Sequence, residues 1–93
     1  MRRGRRVTSS HLVLHYMTRP EPLVSRAGFV VGKLAGNSVQ RHRVIRQLRH
    51  LVAPQLECLS RPTDLVIRAL AGAQGADLQA EVRELMERAG LVA

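Results

Sequence analysis

The sequence predicts an α+β domain in which two helices pack on a four-stranded mixed sheet. Short segments of alternating or β-branched apolar residues predict four strands, and two longer segments with helical periodicity predict two helices. These elements follow one another in the order β-β-β-α-β-α. The helix between the third and fourth strands favours a parallel pair, because parallel neighbours need a long crossover connection. With 93 residues, the chain has the size of a single domain, residues 1–93.

The first half of the chain carries a basic start and three predicted strands. Residues 1–6 are predicted to form a basic arm, and residues 7–9 a short edge strand. Residues 11–17 place alternate side chains on two faces, which is typical of a strand. A loop with two prolines follows, and the apolar residues within 26–33 predict the third strand. Together, the three strands are expected within residues 7–33.

The segment over residues 37–53 is predicted to be a basic helix, with Pro54 near its end. Asn37 is a suitable N-cap, because its side-chain oxygen can accept a hydrogen bond from an otherwise unpaired backbone N–H group. Apolar residues recur at the spacing of a buried stripe, which consists of Val44, Leu48, Leu51 and Val52. Cationic side chains occupy the other faces, namely Arg41, His42, Arg43, Arg46 and Arg49. No carboxylate interrupts this run, so the surface is predicted to bind a polyanion.

The second half of the chain supplies one strand and one helix. The sequence TDLVIRA at residues 63–69 is rich in apolar and β-branched residues, which predicts a buried strand. Residues 77–89 place apolar side chains on one helical face, and Gly90 is a suitable stop. This last helix is therefore predicted to be structural, with its outer face in solvent.

The charge of the chain is concentrated in its first half. Residues 1–52 contain 11 Lys or Arg against one acid, a net charge of +10, whereas residues 53–93 contain 4 against 6, a net charge of −2. Together they give the net charge of +8 of the whole chain. This division is typical of a binding surface rather than of a uniformly basic protein. Arg outnumbers Lys 14 to 1, which favours forked contacts to phosphate groups.

The acidic residues argue against a nuclease that works without a partner. A metal-dependent nuclease needs clustered carboxylates, but Glu21, Glu57 and Asp64 lie in separate elements and the other four acids occupy the last helix. Neither His11 with His15 on a strand nor His42 with His50 on a helix has a spacing that would let both bind one metal ion. We therefore expect neither catalytic residues nor a metal site in the protein itself.

The cysteine content and hydropathy predict a cytoplasmic protein. Cys58 is the one cysteine of the chain, so no internal disulfide can form, and a reducing compartment fits. No apolar stretch approaches the roughly 20 residues of a membrane span. We expect no membrane partner.

The run from Lys33 to His50 resembles the signature of the bacterial ribonuclease P protein family, approximately K-x-x-G-N-A-V-x-R-N-R-x-K-R-x-x-R. Eight residues match as they stand, namely Lys33, Gly36, Asn37, Val39, Arg41, Arg43, Arg46 and Arg49. Three residues depart from it: Ser38 replaces Ala, His42 replaces Asn, and Ile45 replaces Lys. The departures at His42 and Ile45 alter one polar contact and remove one cation from the surface that would face RNA.

The resemblance implies a subunit of a ribonucleoprotein endonuclease that removes the 5′ leader from precursor tRNA. Its partners would be the ribonuclease P RNA and precursor tRNA, with no small-molecule substrate. The catalytic centre of the family lies in the RNA, which positions Mg²⁺, so Mg²⁺ would act mainly through the RNA subunit. The fold implied is similar to domain 2 of ribosomal protein S5, with a left-handed βαβ crossover.

The resemblance also assigns candidate site residues. The residues expected to bind RNA are Lys33, Asn37, Arg41, His42, Arg43, Arg46 and Arg49, joined by Arg5 and Arg6 of the basic arm. The arm is less specific, because it could contact any phosphate or be disordered. Val13 and His15 are expected to line the cleft for the single-stranded leader, although His15 also fits an ordinary histidine on a sheet face.

Two further expectations follow from the comparison with the family pattern. Family members normally carry an N-terminal helix ahead of the basic arm, and we expect this sequence to lack it. The alternative function is a non-enzymatic ribosomal or structured-RNA binding module of the same fold. Such a module would bind RNA without promoting removal of the leader.

Overall fold

The computed structural model describes residues 4–18, 25–59 and 63–91. These residues form four strands, two α-helices and two short 3₁₀ segments. The strands are β1 (Arg5–Thr8), β2 (Leu12–Thr18), β3 (Arg26–Val31) and β4 (Thr63–Ala69), and the helices are α1 (Ser38–Glu57) and α2 (Leu78–Arg88). The 3₁₀ segments, Lys33–Ala35 and Ala73–Gly75, precede α1 and α2.

The strands form one sheet in the order β1-β2-β4-β3. The pairs β1–β2 and β2–β4 are antiparallel, whereas β3 and β4 are parallel neighbours joined through α1. The predicted α+β class, with a four-stranded mixed sheet and two helices, is therefore confirmed. The left-handed sense of the crossover stays an expectation from the resemblance.

The core lies between one face of the sheet and the two helices. Leu12 and Leu14 of β2 and Ile67 of β4 are almost completely buried, because alternate strand residues point toward the helices. The helices contribute the buried residues Val44, Leu48 and Val52 from α1 and Leu78, Val82, Leu85 and Met86 from α2. The stripe predicted for the basic helix is thus buried, except that Leu51 packs at the edge of the core. The core is almost entirely aliphatic.

The helix α1 continues to Glu57, four residues beyond the predicted end. Pro54 lies inside its last turns, where it removes one backbone donor but leaves its ring exposed. Leu51 and Leu56, on either side of Pro54, pack against the core and hold these turns in place. Burial of apolar residues therefore outweighs the loss of one hydrogen bond.

The basic arm predicted at residues 1–6 is partly a strand. Arg5 and Arg6 belong to β1, because their backbones pair with Tyr16 and His15 of β2. Residues 1–3 lie outside the described part of the chain. At the other end of the strand region, β3 stops at Val31, and Lys33 begins a 3₁₀ turn.

Candidate nucleic-acid interface

The start of α1 is fixed by a reciprocal pair of hydrogen bonds. The Asn37 side-chain oxygen accepts from the Gln40 backbone N–H at 2.9 Å, and the Gln40 side-chain oxygen accepts from the Asn37 backbone N–H at 2.9 Å. Gly36 precedes the cap with a φ of 120°, and a Cβ on this residue would collide with the Gln40 side chain. The Gly36-Asn37 step therefore sets the point from which all basic residues of α1 are positioned.

Replacing Asn37 by alanine is expected to lower the free energy of unfolding by about 1 kcal/mol, because the first turn of α1 loses its cap. Asn37→Asp keeps a side-chain acceptor and should retain most of the stability. Urea denaturation followed by circular dichroism measures both variants. An equal loss in the two variants would show that the cap is not what Asn37 supplies.

The basic side chains of α1 point away from the core. His42, Arg43, Arg46 and Arg49 are exposed, and Arg41 is half-buried. Within the described part of the chain, none of them forms an ion pair with a carboxylate. The positive charge of these side chains is therefore not neutralised within the described part of the chain, and binding of a polyanion by this helix stays a prediction.

Lys33 lies beside the start of the same helix. It is exposed in the 3₁₀ turn that leads to the cap. Its neighbour Leu34 has 82% of its surface exposed, and Val39 in the first turn of α1 has 68%. Two apolar side chains thus accompany the cations at this end of the surface.

The face of the sheet opposite the helices carries the two predicted leader residues. In one row across the strands, Arg6 lies beside His15, His15 beside Val66, and Val66 beside Gly28. The next row runs through Thr8, Val13, Arg68 and Val30. We call this surface the open face. It combines half-buried or exposed apolar side chains with the cations Arg6 and Arg68.

An ion pair lies at one end of the open face. Arg26 Nε donates to Asp64 Oδ1 at 3.4 Å, so these two charges largely neutralise each other. Arg6 and Arg68 have no such partner among the described residues. The open face therefore presents a net positive charge around an apolar centre that includes Val66, 39% exposed, and Val30, 44% exposed.

A partly buried carboxylate joins the β1–β2 turn to α2. Glu81 accepts hydrogen bonds from the Ser9 hydroxyl at 2.5 Å and the His11 backbone N–H at 2.7 Å, and its other oxygen lies 2.8 Å from His11 Nδ1. Burial opposes ionisation of Glu81, but the bonds from Ser9 and His11 outweigh it and lower the pKa of this carboxyl. Ser9 and His11 both bond to Glu81, so no serine–histidine relay is formed, and the cluster is structural.

The described residues offer no metal site. No three His, Cys, Asp or Glu side chains lie close enough together to hold an ion. The donor set of this part of the chain therefore does not fit a resident Mg²⁺. Cys58 is exposed and free at the end of α1. In the same part of the chain, neither helix has the length and apolar composition needed to cross a membrane.

Comparison with known proteins identifies the family to which this fold and basic helix belong. The family model described as Ribonuclease P matches residues 1–90. The chain belongs to the ribonuclease P protein family.

Relatives in this family align with nearly the whole chain. This chain is 43% identical over 102 aligned positions to a protein of Rhodococcus opacus called ribonuclease P protein component. The alignment covers 100% of this chain and 82% of the relative. A protein of the same name from Acidothermus cellulolyticus is 42% identical over 95 residues, covering 95% of the chain and 77% of the relative. Sequence similarity at this level extends well beyond the basic helix.

Solved ribonuclease P proteins share the fold. A Staphylococcus aureus ribonuclease P protein superposes with a TM-score of 0.85 at 19% identity, covering 99% of this chain and 86% of that one. The Thermotoga maritima protein in complex with 1-(4-fluorophenyl)-2-thiourea gives 0.73 at 18% identity, covering 95% and 84%. At such low identity, these likenesses establish the fold alone.

Within a ribonuclease P protein fold, the candidate residues form two separate surfaces. Lys33 and the cations of α1 form one, and Val13 and His15 on the open face belong to the other. Arg6 joins the open face, whereas Arg5 pairs with Tyr16, whose side chain packs against the core, and so lies on the opposite side of β1. Asn37 uses its side-chain oxygen in the helix cap, which leaves its amide nitrogen for a partner.

Sequence reasoning missed Arg68, Val66, Val30 and Gly28 on the open face. The alternation of TDLVIRA already places Val66 and Arg68 opposite the buried Leu65 and Ile67. What the sequence lacked was the strand order, since β4 pairs with β2 across a separation of about 50 residues. Only that pairing brings Arg68 beside Val13.

Proposed function

We propose that this protein is the protein subunit of ribonuclease P, which binds the catalytic RNA and the 5′ leader of precursor tRNA to promote endonucleolytic maturation of the tRNA 5′ end. The observation that carries the proposal is the unneutralised basic surface of α1 in a chain that belongs to this family. It is an accessory subunit, and the hydrolysis is assigned to the RNA.

The basic surface of α1 is proposed to dock on the RNA subunit. Its arginines present guanidinium forks that bind phosphate oxygens in pairs, and the one carboxylate of the helix, Glu57, lies at its far end and forms no ion pair with them among the described residues. If about six phosphates are contacted, log K for the RNA should fall with log[salt] at a slope of about −4 to −5. Docking is therefore expected to be strongly salt-dependent.

The open face is proposed to hold the single-stranded leader. Val13 and Val66 provide apolar surface for bases, while Arg6 and Arg68 flank them with charges that can bind the leader backbone. His15 lies between Arg6 and Val66 in the same row and can contact either a base or a phosphate. The two surfaces together let one small protein contact two RNA molecules.

The role of Mg²⁺ is proposed to belong mainly to the RNA subunit. A cationic protein placed between the catalytic RNA and precursor tRNA offsets the repulsion between the two polyanions. The complete particle should therefore need less free Mg²⁺ than the RNA alone. Since its substrates are bacterial RNAs and its one cysteine is free and exposed, the proposed location is the cytoplasm.

The decisive experiment is cleavage of a 5′-labelled precursor tRNA at low Mg²⁺. It compares this protein alone, a bacterial ribonuclease P RNA alone, and the two mixed. Cleavage at the mature 5′ end in the mixture alone supports the subunit function. RNA binding without improved cleavage would favour the structured-RNA binding module, and EDTA-sensitive cleavage by the protein alone would identify a stand-alone nuclease.

Replacing Arg68 by alanine is expected to weaken binding of precursor tRNA with a long leader and to reduce its salt slope by about one. A substrate with a one-nucleotide leader should bind equally well to the particle that contains the wild-type protein and to the one that contains Arg68→Ala. Arg83→Ala, which removes an exposed arginine from α2, is the matched control. A loss that does not depend on leader length would remove the open face from the leader site.

A further inference from the structure

We infer that α1 holds an unpaired nucleobase of the docked RNA in a concavity centred on His42. This inference deepens the proposed function and rests on it, because the same helix is the proposed docking surface. It assigns to this surface an apolar contact with a base in addition to contacts with phosphates.

The concavity is built from one stripe of α1. It has a volume of about 580 Å³ and is lined, among the described residues, by Val39, His42, Ile45, Arg46 and Arg49. Positions 39, 42, 46 and 49 recur at helical spacing, and residue 45 lies next to them on the surface. The volume falls within the range of about 300–1,000 Å³ that is typical of small-ligand sites.

The concavity combines apolar and aromatic side chains with cations, whereas a site for phosphate alone would need only the cations. Val39 is 68% exposed and Ile45 half-buried, and they lie on either side of the His42 position. His42 itself is exposed and has no hydrogen-bond partner within the described part of the chain. An aromatic ring between two apolar side chains is suited to the face of a base, since bases stack on such rings regardless of sequence.

The cations of the concavity are suited to bind the phosphates next to such a base. Arg46 and Arg49 lie at its edge, one to two turns along the helix from His42. Each base of an RNA strand is flanked by phosphates, so a base placed on His42 brings anions within reach of these guanidinium groups. The same arginines would repel a second copy of this surface, which makes association between two copies of the protein unfavourable here.

The two departures from the family signature meet in this concavity. The signature has Asn at position 42 and Lys at position 45. This chain has the aromatic residue His42 in place of the first and the apolar residue Ile45 in place of the second. This chain therefore gives up one phosphate contact and gains a surface for a base. The substitution pair His42→Asn with Ile45→Lys reverses that exchange.

The test combines chemical probing of unpaired bases in ribonuclease P RNA with measurement of the salt dependence of binding. The wild-type protein is expected to protect at least one unpaired base from base-specific reagents. The His42→Asn/Ile45→Lys variant should lose this protection while its salt slope steepens by about one, because a phosphate contact replaces the base. Gln47→Ala, an exposed change on α1 outside the concavity, is the control and should alter neither result.

A second variant distinguishes a loss of RNA binding from a loss of folding. Val39→Ser alters a side chain that is 68% exposed, so the core is untouched, and it should weaken RNA binding severalfold without changing the salt slope. No base protection by the wild-type protein, with a slope of about −4 to −5 retained, would overturn the inference but leave RNA docking intact. Absence of salt-dependent binding would overturn the proposed function as well.

Discussion

The double substitution of Arg46 and Arg49 by alanine is expected to weaken binding of the RNA subunit roughly 100-fold and to flatten its salt slope by about two. Both side chains are exposed, and neither has a carboxylate partner among the described residues. Their removal therefore costs the folded protein little, whereas it removes two forked phosphate contacts from the proposed interface. Filter binding over a salt series measures both quantities.

Two controls separate a local contact from the overall charge of the protein. Glu84→Ala on α2 breaks a surface pair in which Arg88 Nη1 lies 3.2 Å from Glu84, and it should change neither affinity nor slope. Arg83→Ala removes a cation from α2 and should have a small effect through net charge alone. An unchanged slope in the double variant would rule out α1 as the docking surface.

The type and order of the elements could be predicted because local patterns determine them. Val44, Leu48 and Val52 repeat with helical spacing, and the alternation in residues 63–69 places Leu65 and Ile67 on one side. The α+β class follows from these patterns alone. Element ends are less well determined, as the continuation of α1 past Pro54 shows, because packing of Leu56 on the core is a tertiary effect.

The candidate site could be predicted where it lies on one helix and only partly where it crosses strands. The cations of α1 are neighbours through helix geometry, so their shared surface is visible in the sequence. The open face depends on strand order, and the pairing of β2 with β4 brings Arg68 beside Val13. Arg6 belongs there because β1 starts earlier than its sequence suggests, and the reason is backbone pairing with His15.

No local sequence pattern predicts the link between the β1–β2 turn and α2. Ser9 and Glu81 are 72 residues apart, and His11 and Glu81 are 70. Nothing in the sequence around His11 indicates a carboxylate partner on the last helix. A second link lies nearby, where Arg88 Nη1 donates to the Thr8 carbonyl oxygen at 2.8 Å. Both contacts hold the edge strand β1, whose backbone would otherwise be secured by β2 alone.

Replacing Glu81 by alanine is expected to lower the free energy of unfolding by about 2–3 kcal/mol. The carboxylate is 13% exposed, and its loss leaves the His11 backbone N–H without its acceptor and the Ser9 hydroxyl with only the longer contact, 3.3 Å, to the Leu12 carbonyl oxygen. Glu87→Ala, an exposed acid on the same helix, is the control and should change stability by less than about 0.5 kcal/mol. Urea denaturation at neutral pH compares the two variants with the wild-type protein.

The same carboxylate predicts how stability depends on pH. Because the folded protein lowers the pKa of Glu81 below its ordinary value of 4.5, the unfolded chain takes up the proton first as the solution is acidified. The contribution of Glu81 is therefore fully present above pH 4.5 and is lost as the pH falls through the lower pKa of the folded state. In Glu81→Gln this part of the acid dependence should disappear, so the stability gap to the wild-type protein should narrow as the pH falls below 4.5. A gap that stays constant down to pH 2 would show that the charge of Glu81 does not hold β1 to α2.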